Sequence, residues 1–118
     1  MATYHPDRDQ LLVEDVLAAL GHPVRLGIVR DLAASTGERT CGSFPVEVTK
    51  ATATFHWRVL RESGITRERK AGRYKAVELR REDLNTRFPG LLDAVLNAAR
   101  PAAGSPEHER PEAAAQAL

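Results

Sequence analysis

Apolar residues recur with helical spacing in two stretches near the start of the chain, residues 7–20 and residues 23–34. Two aspartates lie at the beginning of the first stretch, where a helix dipole favours negative charge, and Gly21 ends it. Pro23 begins the second stretch, because the first turn of a helix leaves its backbone N–H groups unpaired in any case. The pattern therefore predicts two helices. Their apolar positions are Leu12, Val13, Val16, Leu17 and Leu20 in the first and Leu26, Ile28, Val29 and Leu32 in the second.

A third helix is predicted after a segment rich in helix breakers. Glycine and proline interrupt residues 35–48, which can form at most a short helical turn near Val46. Thr49 then offers a side-chain oxygen as an N-cap, and Gly64 stands in the C-terminal stop position, so we expect a helix to about Ser63. One face of this helix carries Ala53, Trp57 and Leu60, and the opposite arc carries Ala51, Phe55, Arg58 and Glu62, with Thr52 and Thr54 on its flanks.

The pattern changes from helical to extended over residues 65–79, with Gly72 at a basic turn, which predicts a two-stranded hairpin. Helical spacing returns over residues 79–99, where Pro89 and Gly90 should break or kink the last helix. The order helix, helix, short turn, capped helix, hairpin, helix predicts a mostly α fold with a small β-hairpin. This is the layout of a winged helix-turn-helix, α-α-α-α-β-β-α.

The end of the chain differs in composition from the rest. Residues 98–118 contain three prolines and eight alanines, and Leu118 is their only larger apolar residue. Such a segment buries too little apolar surface to offset the entropy of ordering it. We therefore expect one folded domain over residues 1–97 and a disordered tail over residues 98–118.

Composition narrows the class of protein further. The 118 residues suffice for one modest core, and the scarcity of aromatic residues favours packed helices over an aromatic-rich sandwich. A single cysteine, Cys41, excludes an internal disulfide, and no apolar run reaches the length of a membrane span. The sequence predicts a cytoplasmic protein.

The net charge of +1 conceals a strong asymmetry along the chain. Residues 49–81 hold ten Lys or Arg and three acids, whereas the remainder holds seven bases and thirteen acids. Positive charge confined to one contiguous stretch indicates a surface that binds a polyanion. In the predicted fold this stretch is the capped helix and the hairpin, the two elements that can meet the major groove and the flanking backbone of DNA.

Two segments, ALGHPVRLGIVRDL and TKATATFHWRVLRESGITRERKAGRYKAVEL, resemble the ArsR/SmtB family of bacterial winged-helix repressors. The shared features are the Ala-Leu opening with Pro-x-Arg, the histidine, leucine and glycine of the capped helix, and a Gly-Arg turn in the wing. The resemblance covers residues 9–96. It implies a repressor that forms a homodimer through its first and last helices and binds an inverted-repeat operator in double-stranded DNA.

Ten residues are candidates for DNA contact, through hydroxyl groups, an apolar ring and positive charge. Phe55 has an equal alternative, in which its ring packs under the wing or against a neighbouring helix. His56 is expected to be a structural histidine, and Arg25 to make a structural ion pair. The candidates on the capped helix are Lys50, Thr52, Thr54, Phe55 and Arg58, and those on the wing are Arg67, Arg69, Lys70, Arg73 and Lys75.

The resemblance also raises the question of metal sensing, since many members of the family bind metals. The paired thiolates of one family site are absent. The ligands of the site on the last helix are absent too, since Asp83-Leu84-Asn85 is the nearest match to its first part and Leu96 and Ala99 stand at the later ligand positions. The remaining candidates are His5, Asp7 and Asp9, with His108, a set suited to Ni²⁺ or Zn²⁺. The alternative is an acidic helix start without a metal.

Catalysis is not predicted, because no nucleophile and base occur together and no glycine-rich phosphate loop follows a strand. A second hypothesis is a winged-helix module that binds a protein co-regulator through its helices and touches DNA only weakly. In that case the tail would be a docking segment.

Overall fold

The computed structural model describes residues 4–35, 39–40 and 48–99. Helices make up most of this part of the chain, and three short strands form one antiparallel sheet. The mostly α winged fold predicted from the sequence is confirmed. The helices are α1 (Val13–Leu20), α2 (Pro23–Ala34), α3 (Lys50–Glu62), α4 (Arg81–Arg87) and α5 (Leu91–Ala99), and the strands are β1 (Arg39–Thr40), β2 (Thr66–Ala71) and β3 (Tyr74–Leu79).

The first helix is shorter than predicted. A 3-10 turn occupies Arg8–Gln10, with the backbone N–H of Asp7 donating to Oε1 of Gln10 at 2.8 Å, and α1 begins only at Val13. Leu11 lies between them in extended backbone and is fully buried. The predicted helix from residue 7 is therefore wrong, because Leu11 has to leave the helical path to reach the core.

The second and third helices begin at side chains that cap them. The ring nitrogen Nδ1 of His22 accepts a hydrogen bond from the N–H of Val24 at 3.1 Å, ahead of Pro23 in the first turn of α2. Thr49 Oγ1 accepts from the N–H of Thr52 at 3.1 Å, which confirms the predicted N-cap of α3. Both helices match their predicted ranges, because cap and apolar period agree in each.

The predicted hairpin is confirmed, but the sheet has a further strand. Strands β2 and β3 pair from Thr66 opposite Leu79 to Ala71 opposite Tyr74, and Gly72 takes a positive φ of 64° in the turn. On the other edge of β3, Arg39 pairs with Val77, so the strand order is β1-β3-β2. A strand of two residues carries no period that a sequence pattern could reveal.

The break predicted at Pro89 and Gly90 is also confirmed, since α4 and α5 are separate helices and Gly90 has a φ of 83°. Helix α5 continues to Ala99, two residues beyond the expected domain boundary. The predicted short turn near Val46 and the tail beyond residue 99 lie outside the described residues. So do Cys41 and His108.

One apolar core joins the helices to the inner face of the sheet. It is built mainly of aliphatic residues, as the composition predicts, with Trp57 as its largest side chain. None of the helices in the described ranges is long and apolar enough to cross a bilayer. The buried core comprises Leu11, Val16, Ala19, Leu20, Ile28, Val29, Leu32, Trp57, Leu60, Ile65, Val77, Leu84 and Leu92.

The reversal between α3 and β2 depends on Gly64, whose φ is 88°. A Cβ placed on Gly64 would lie 2.0 Å from Cδ2 of Leu11, so a side chain at this position is unfavourable on two grounds, backbone conformation and space. The N–H of Gly64 donates to the carbonyl oxygen of Arg61, and the N–H of Ile65 donates to that of Leu60. These bonds end the helix and turn the chain directly into the wing.

We expect Gly64→Ala to lower the free energy of unfolding by about 3 kcal/mol, from backbone strain plus displacement of Leu11. Gly72→Ala is the matched control, since Gly72 shares the positive φ but no described atom would lie within 4 Å of its Cβ. It should cost about 1 kcal/mol. Urea denaturation measures both, and equal losses would show that the contact with Leu11 does not limit the position.

Candidate nucleic-acid interface

Helix α3 presents one polar arc to solvent. Lys50, Thr52, Thr54, Phe55 and Arg58, the five residues predicted to contact DNA from this helix, are all exposed. Phe55 is 47% exposed, with the guanidinium of Arg58 5.7 Å from the centre of its ring. Among the described residues, Phe55 therefore does not pack under the wing, which was the alternative considered for it. The ring is available for an apolar contact.

The opposite face of α3 anchors the helix in the core. Trp57 and Leu60 are buried, as predicted, and His56 is only 3% exposed. Nη1 of Arg25 donates to Nδ1 of His56 at 3.0 Å, and Nε of Arg25 donates to the carbonyl oxygen of Ala19 at 2.7 Å. One guanidinium thus joins the end of α1 to α3 from its position on α2. Arg25 has a structural role, but its partners are the carbonyl oxygens of Ala18 and Ala19 and an imidazole, not the carboxylate that the predicted ion pair requires.

Two histidine rings at this junction accept hydrogen bonds through Nδ1. Arginine only donates hydrogen bonds, so Nδ1 of His56 must be unprotonated, and Nδ1 of His22 must be unprotonated to cap α2. The two rings contact each other in a tilted arrangement, with centroids 4.5 Å apart and an angle of 51° between their planes. Burial lowers the pKa of His56 below its ordinary value of 6.5, and the neighbouring His22 and Arg25 lower it further. The contact that orients α3 therefore requires His56 to be neutral.

The wing alternates its side chains between solvent and the interior. Arg67 and Arg69 are exposed on β2, whereas Thr66 and Glu68 are buried. The other predicted wing contacts, Lys70, Arg73 and Lys75, are exposed. All five predicted cations of the hairpin thus reach the surface.

Arg67 differs from the other wing cations in its surroundings. It lies at the base of the hairpin, 3.8 Å from a carboxylate oxygen of Glu78 and 3.5 Å from one of Asp83. Asp83 also accepts hydrogen bonds from Arg8 and Arg80, at 2.7 and 2.8 Å. Burial would raise the pKa of Asp83, but these two guanidinium groups outweigh it and hold the pKa below its ordinary value. Arg67 is thus part of an ion-pair network that ties the wing to α4.

A cleft of about 220 Å³ lies between α3 and the wing, and side chains from both elements line it. Thr54 and Arg58 contribute from the exposed arc of the helix, and Lys75 contributes from β3. Three of the predicted contact residues, from two separate elements, therefore line one cavity. Its walls are completed by Trp57, Arg61 and Glu68.

Sequence reasoning missed Arg61 and Glu68 in this cleft. Glu68 is the only acid among the basic residues of β2, and its position two residues from the buried Thr66 puts it on the inner face. The alternation of inward and outward residues along β2 could therefore have predicted that Glu68 is buried. No sequence pattern could have predicted the position of Arg61, because its approach to Glu68 depends on how the wing folds back on α3.

The three N-terminal candidates for metal binding are not gathered into a site. Nε2 of His5 accepts a hydrogen bond from the N–H of Glu68 at 3.0 Å, which occupies that nitrogen. Asp7 lies at the start of the 3-10 turn. Within the described ranges no three His, Cys, Asp or Glu side chains are grouped so that they could hold a metal ion. His5, Asp7 and Asp9 as arranged here do not fit Ni²⁺ or Zn²⁺.

The architecture agrees with known proteins. The HTH-type transcriptional regulator YceK of Bacillus subtilis (strain 168), itself uncharacterized, is 36% identical over 89 residues, which span 74% of this chain and 89% of that protein. The helix-turn-helix domain family HTH_20 matches residues 20–69. The chain belongs to the helix-turn-helix family of transcriptional regulators. The crystal structure of the transcriptional repressor BigR from Xylella fastidiosa is similar to this regulator, with a TM-score of 0.57 and 27% identity over 75% of this chain and 86% of that one.

Acid should destabilise this regulator through His56. Because the pKa of His56 is lowered in the folded state, the unfolded chain takes up the proton first as the pH falls below 6.5. Stability should therefore decrease from pH 6.5 down to the folded pKa and be unaffected by this group above pH 7.5. Urea denaturation across this range measures the slope.

The matched variant is His56→Gln, whose amide oxygen can still accept from Arg25 but does not titrate. We expect it to reduce the pH dependence without abolishing it, since burial and Arg61 also lower the pKa of His5. An unchanged slope in this variant would contradict the role assigned to His56.

Proposed function

We propose that this helix-turn-helix regulator is a DNA-binding repressor of the ArsR type, which acts as a homodimer on an inverted-repeat operator. Helix α3 would enter the major groove with its exposed arc. The wing would follow the flanking backbone. The ArsR assignment rests on the resemblance of residues 9–96 to that family.

The observation that carries the proposal is the common cleft of α3 and the wing. Thr54 and Arg58 of the helix and Lys75 of the wing border the same cavity, so the two elements present their polar side chains together. A duplex approaching this surface would meet both at once. A helix whose exposed arc turned away from the wing could not combine groove and backbone contacts in this way.

The exposed arc of α3 has the chemistry that reading of base edges requires. The hydroxyl of Thr54 can donate to or accept from a base, and the ring of Phe55 can contact a thymine methyl group. Thr52 is engaged locally, since its Oγ1 accepts a hydrogen bond from Oγ1 of Thr49 at 2.9 Å. We therefore assign base reading chiefly to Thr54, Phe55 and Arg58.

Phosphate contacts would supply most of the affinity, so binding should weaken steeply with salt. We expect Lys70→Ala combined with Arg73→Ala to reduce affinity for all DNA sequences and to lower the slope of log affinity against log salt by about 2. Gel shifts or anisotropy titrations at several salt concentrations, on the region upstream of the regulator's own gene and on random DNA, provide the measurement.

Arg30→Ala on α2 is the control for this experiment, because it removes an exposed positive charge outside the proposed interface. Its slope should equal that of the wild type. A wing variant with the wild-type slope would contradict the role of the hairpin. Equal affinity of the wild type for upstream and random DNA would contradict operator recognition.

A homodimer is supported by the apolar side chains that the single chain leaves in solvent. Leu12, Val13 and Leu17, at the start of α1 and along it, are between 40% and 48% exposed. Leu91, Val95 and Leu96 of α5 are only partly covered by the core. Exposed leucines on a helix that already buries its other face favour a second protein surface.

Leu17→Glu should therefore convert the dimer to a monomer and weaken operator binding together with it. Phe55→Glu is the matched control, since Phe55 is equally exposed, 47% against 48%, but lies on α3. It should abolish DNA binding and leave the dimer intact. Sedimentation equilibrium measures the mass, and a monomeric wild type or a dimeric Leu17→Glu would contradict this interface.

A further inference from the structure

The least expected group in the interface is a buried carboxylate. Glu68 lies on the inner face of β2 with its side chain 1% exposed, and neither of its oxygens has a hydrogen-bond partner among the described residues. Burying a charge is unfavourable unless other charges or hydrogen bonds compensate for it. The residue borders the cleft between α3 and the wing, so its compensation has to come from there.

Two cations approach the same oxygen of Glu68. Nη1 of Arg61 lies 3.5 Å from Oε1, and Nζ of Lys75 lies 3.8 Å from it. Both distances are too long for a strong charged hydrogen bond, which is normally below about 3 Å. Glu68 therefore holds the two cations nearby by charge, which leaves the ammonium group of Lys75 able to donate to another anion at the cleft. Arg61 is more constrained, because its Nε donates to the carbonyl oxygen of Tyr4 at 3.2 Å and its Nη2 lies 3.7 Å from Glu62.

The charge of the cleft identifies that anion by its chemistry. Arg58, Arg61 and Lys75 give three positive charges against the single negative charge of Glu68, so the cavity attracts anions and repels cations. Thr54 adds a hydroxyl donor at the edge that faces the exposed arc of α3. Guanidinium, ammonium and hydroxyl donors around one opening are the groups that contact phosphate oxygens in nucleic-acid complexes.

We propose that this cleft seats one phosphate of the DNA backbone and that Glu68 is a positioning residue that holds Lys75 and Arg61 beside it. The inference rests on the proposed DNA-binding function. In this proposal one phosphate is contacted from α3 by Arg58 and from β3 by Lys75, which would fix the position of the DNA relative to both helix and wing. Glu68 itself does not touch the DNA.

Glu68→Gln tests the proposal because two explanations of Glu68 predict opposite changes in the affinity for DNA. If Glu68 were only a nearby negative charge, its neutralisation would strengthen binding to DNA. If it positions Lys75 and Arg61, its neutralisation should weaken binding by roughly threefold and lower the salt slope by about 0.9, the loss of one phosphate contact. Anisotropy titrations between 50 and 200 mM salt, with thermal unfolding to confirm the fold, measure both quantities.

Glu78→Gln is the matched control, since it makes the same change of charge on the neighbouring strand, where Glu78 faces Arg67 at 3.8 Å and does not line the cleft. It should bind DNA as tightly as the wild type or more tightly, with an unchanged slope. Binding by Glu68→Gln that equals or exceeds that of the wild type, at an unchanged slope, would overturn the proposal.

A double-mutant cycle on Arg58→Gln and Lys75→Gln tests the same phosphate seat without altering the buried residue. Two cations that contact one phosphate should be coupled, so the double variant should depart from the product of the single effects by at least about twofold. Independent effects would overturn the shared seat. This arm also decides the matter if Glu68→Gln does not fold.

A last arm separates DNA from a free phosphate compound as the occupant. At fixed ionic strength, replacing chloride with inorganic phosphate should leave the DNA affinity unchanged to within about twofold if the cleft binds only backbone phosphate. Displacement of DNA by millimolar phosphate, lost in Glu68→Gln, would overturn the assignment to DNA. Failure of the wild type to bind any DNA would refute the proposed function instead.

Discussion

The tight reversal at Gly64 is the constraint on which the interface depends. Only Ser63, Gly64 and Ile65 connect the end of α3 to β2, so the wing has to lie against the helix that precedes it. The positive φ of Gly64 makes the reversal possible, and Leu11 fills the space where a side chain would have stood. The N–H of Arg80 donates to the carbonyl oxygen of Ile65 at 2.9 Å and closes the base of the hairpin. Helix, wing and the cleft between them follow from this one short connection.

The N-terminal segment reinforces the same region. The carbonyl oxygen of Tyr4 accepts from Nε of Arg61 at 3.2 Å, and that of Pro6 accepts from Nη1 of Arg80 at 2.8 Å. His5 accepts a hydrogen bond from a backbone N–H of β2, an edge strand of the sheet, and this N–H would otherwise be open to pairing with another chain. A segment whose composition suggested metal ligands is thus used as a strap across the end of α3 and the wing.

Charge in this protein is organised by burial as much as by number. Arg67 and Arg80 belong to the network around Asp83, which fixes the wing to α4. Arg61 and Lys75 are held by Glu68, whereas Lys70 and Arg73 extend from the end of the hairpin. A count of basic residues treats these cations as equivalent. Their surroundings divide them into a structural set, a positioned set and a freely extended set, which gives the proposed interface its detailed form.

The sequence by itself determined the succession of elements, because each is encoded locally. The apolar period and the cap at Thr49 define α3, alternation with a glycine turn defines the hairpin, and Pro89 with Gly90 divides the last helix. The exposed arc of α3 follows from the same period, so the residues assigned to it could be named in advance. Local patterns also placed the positive charge in one region.

Only the tertiary structure decided what depends on contacts between distant residues. Leu11 leaves the helical path because Gly64, more than fifty positions away, provides its pocket. Arg39 forms a strand because the free edge of β3 lies beside it, and Glu68 acquires its cations because the wing folds back on α3. His5 accepts a hydrogen bond from the N–H of Glu68 because the N-terminal segment packs across β2. Periodicity reports which face a side chain takes, whereas its partner is fixed only when separate elements pack together.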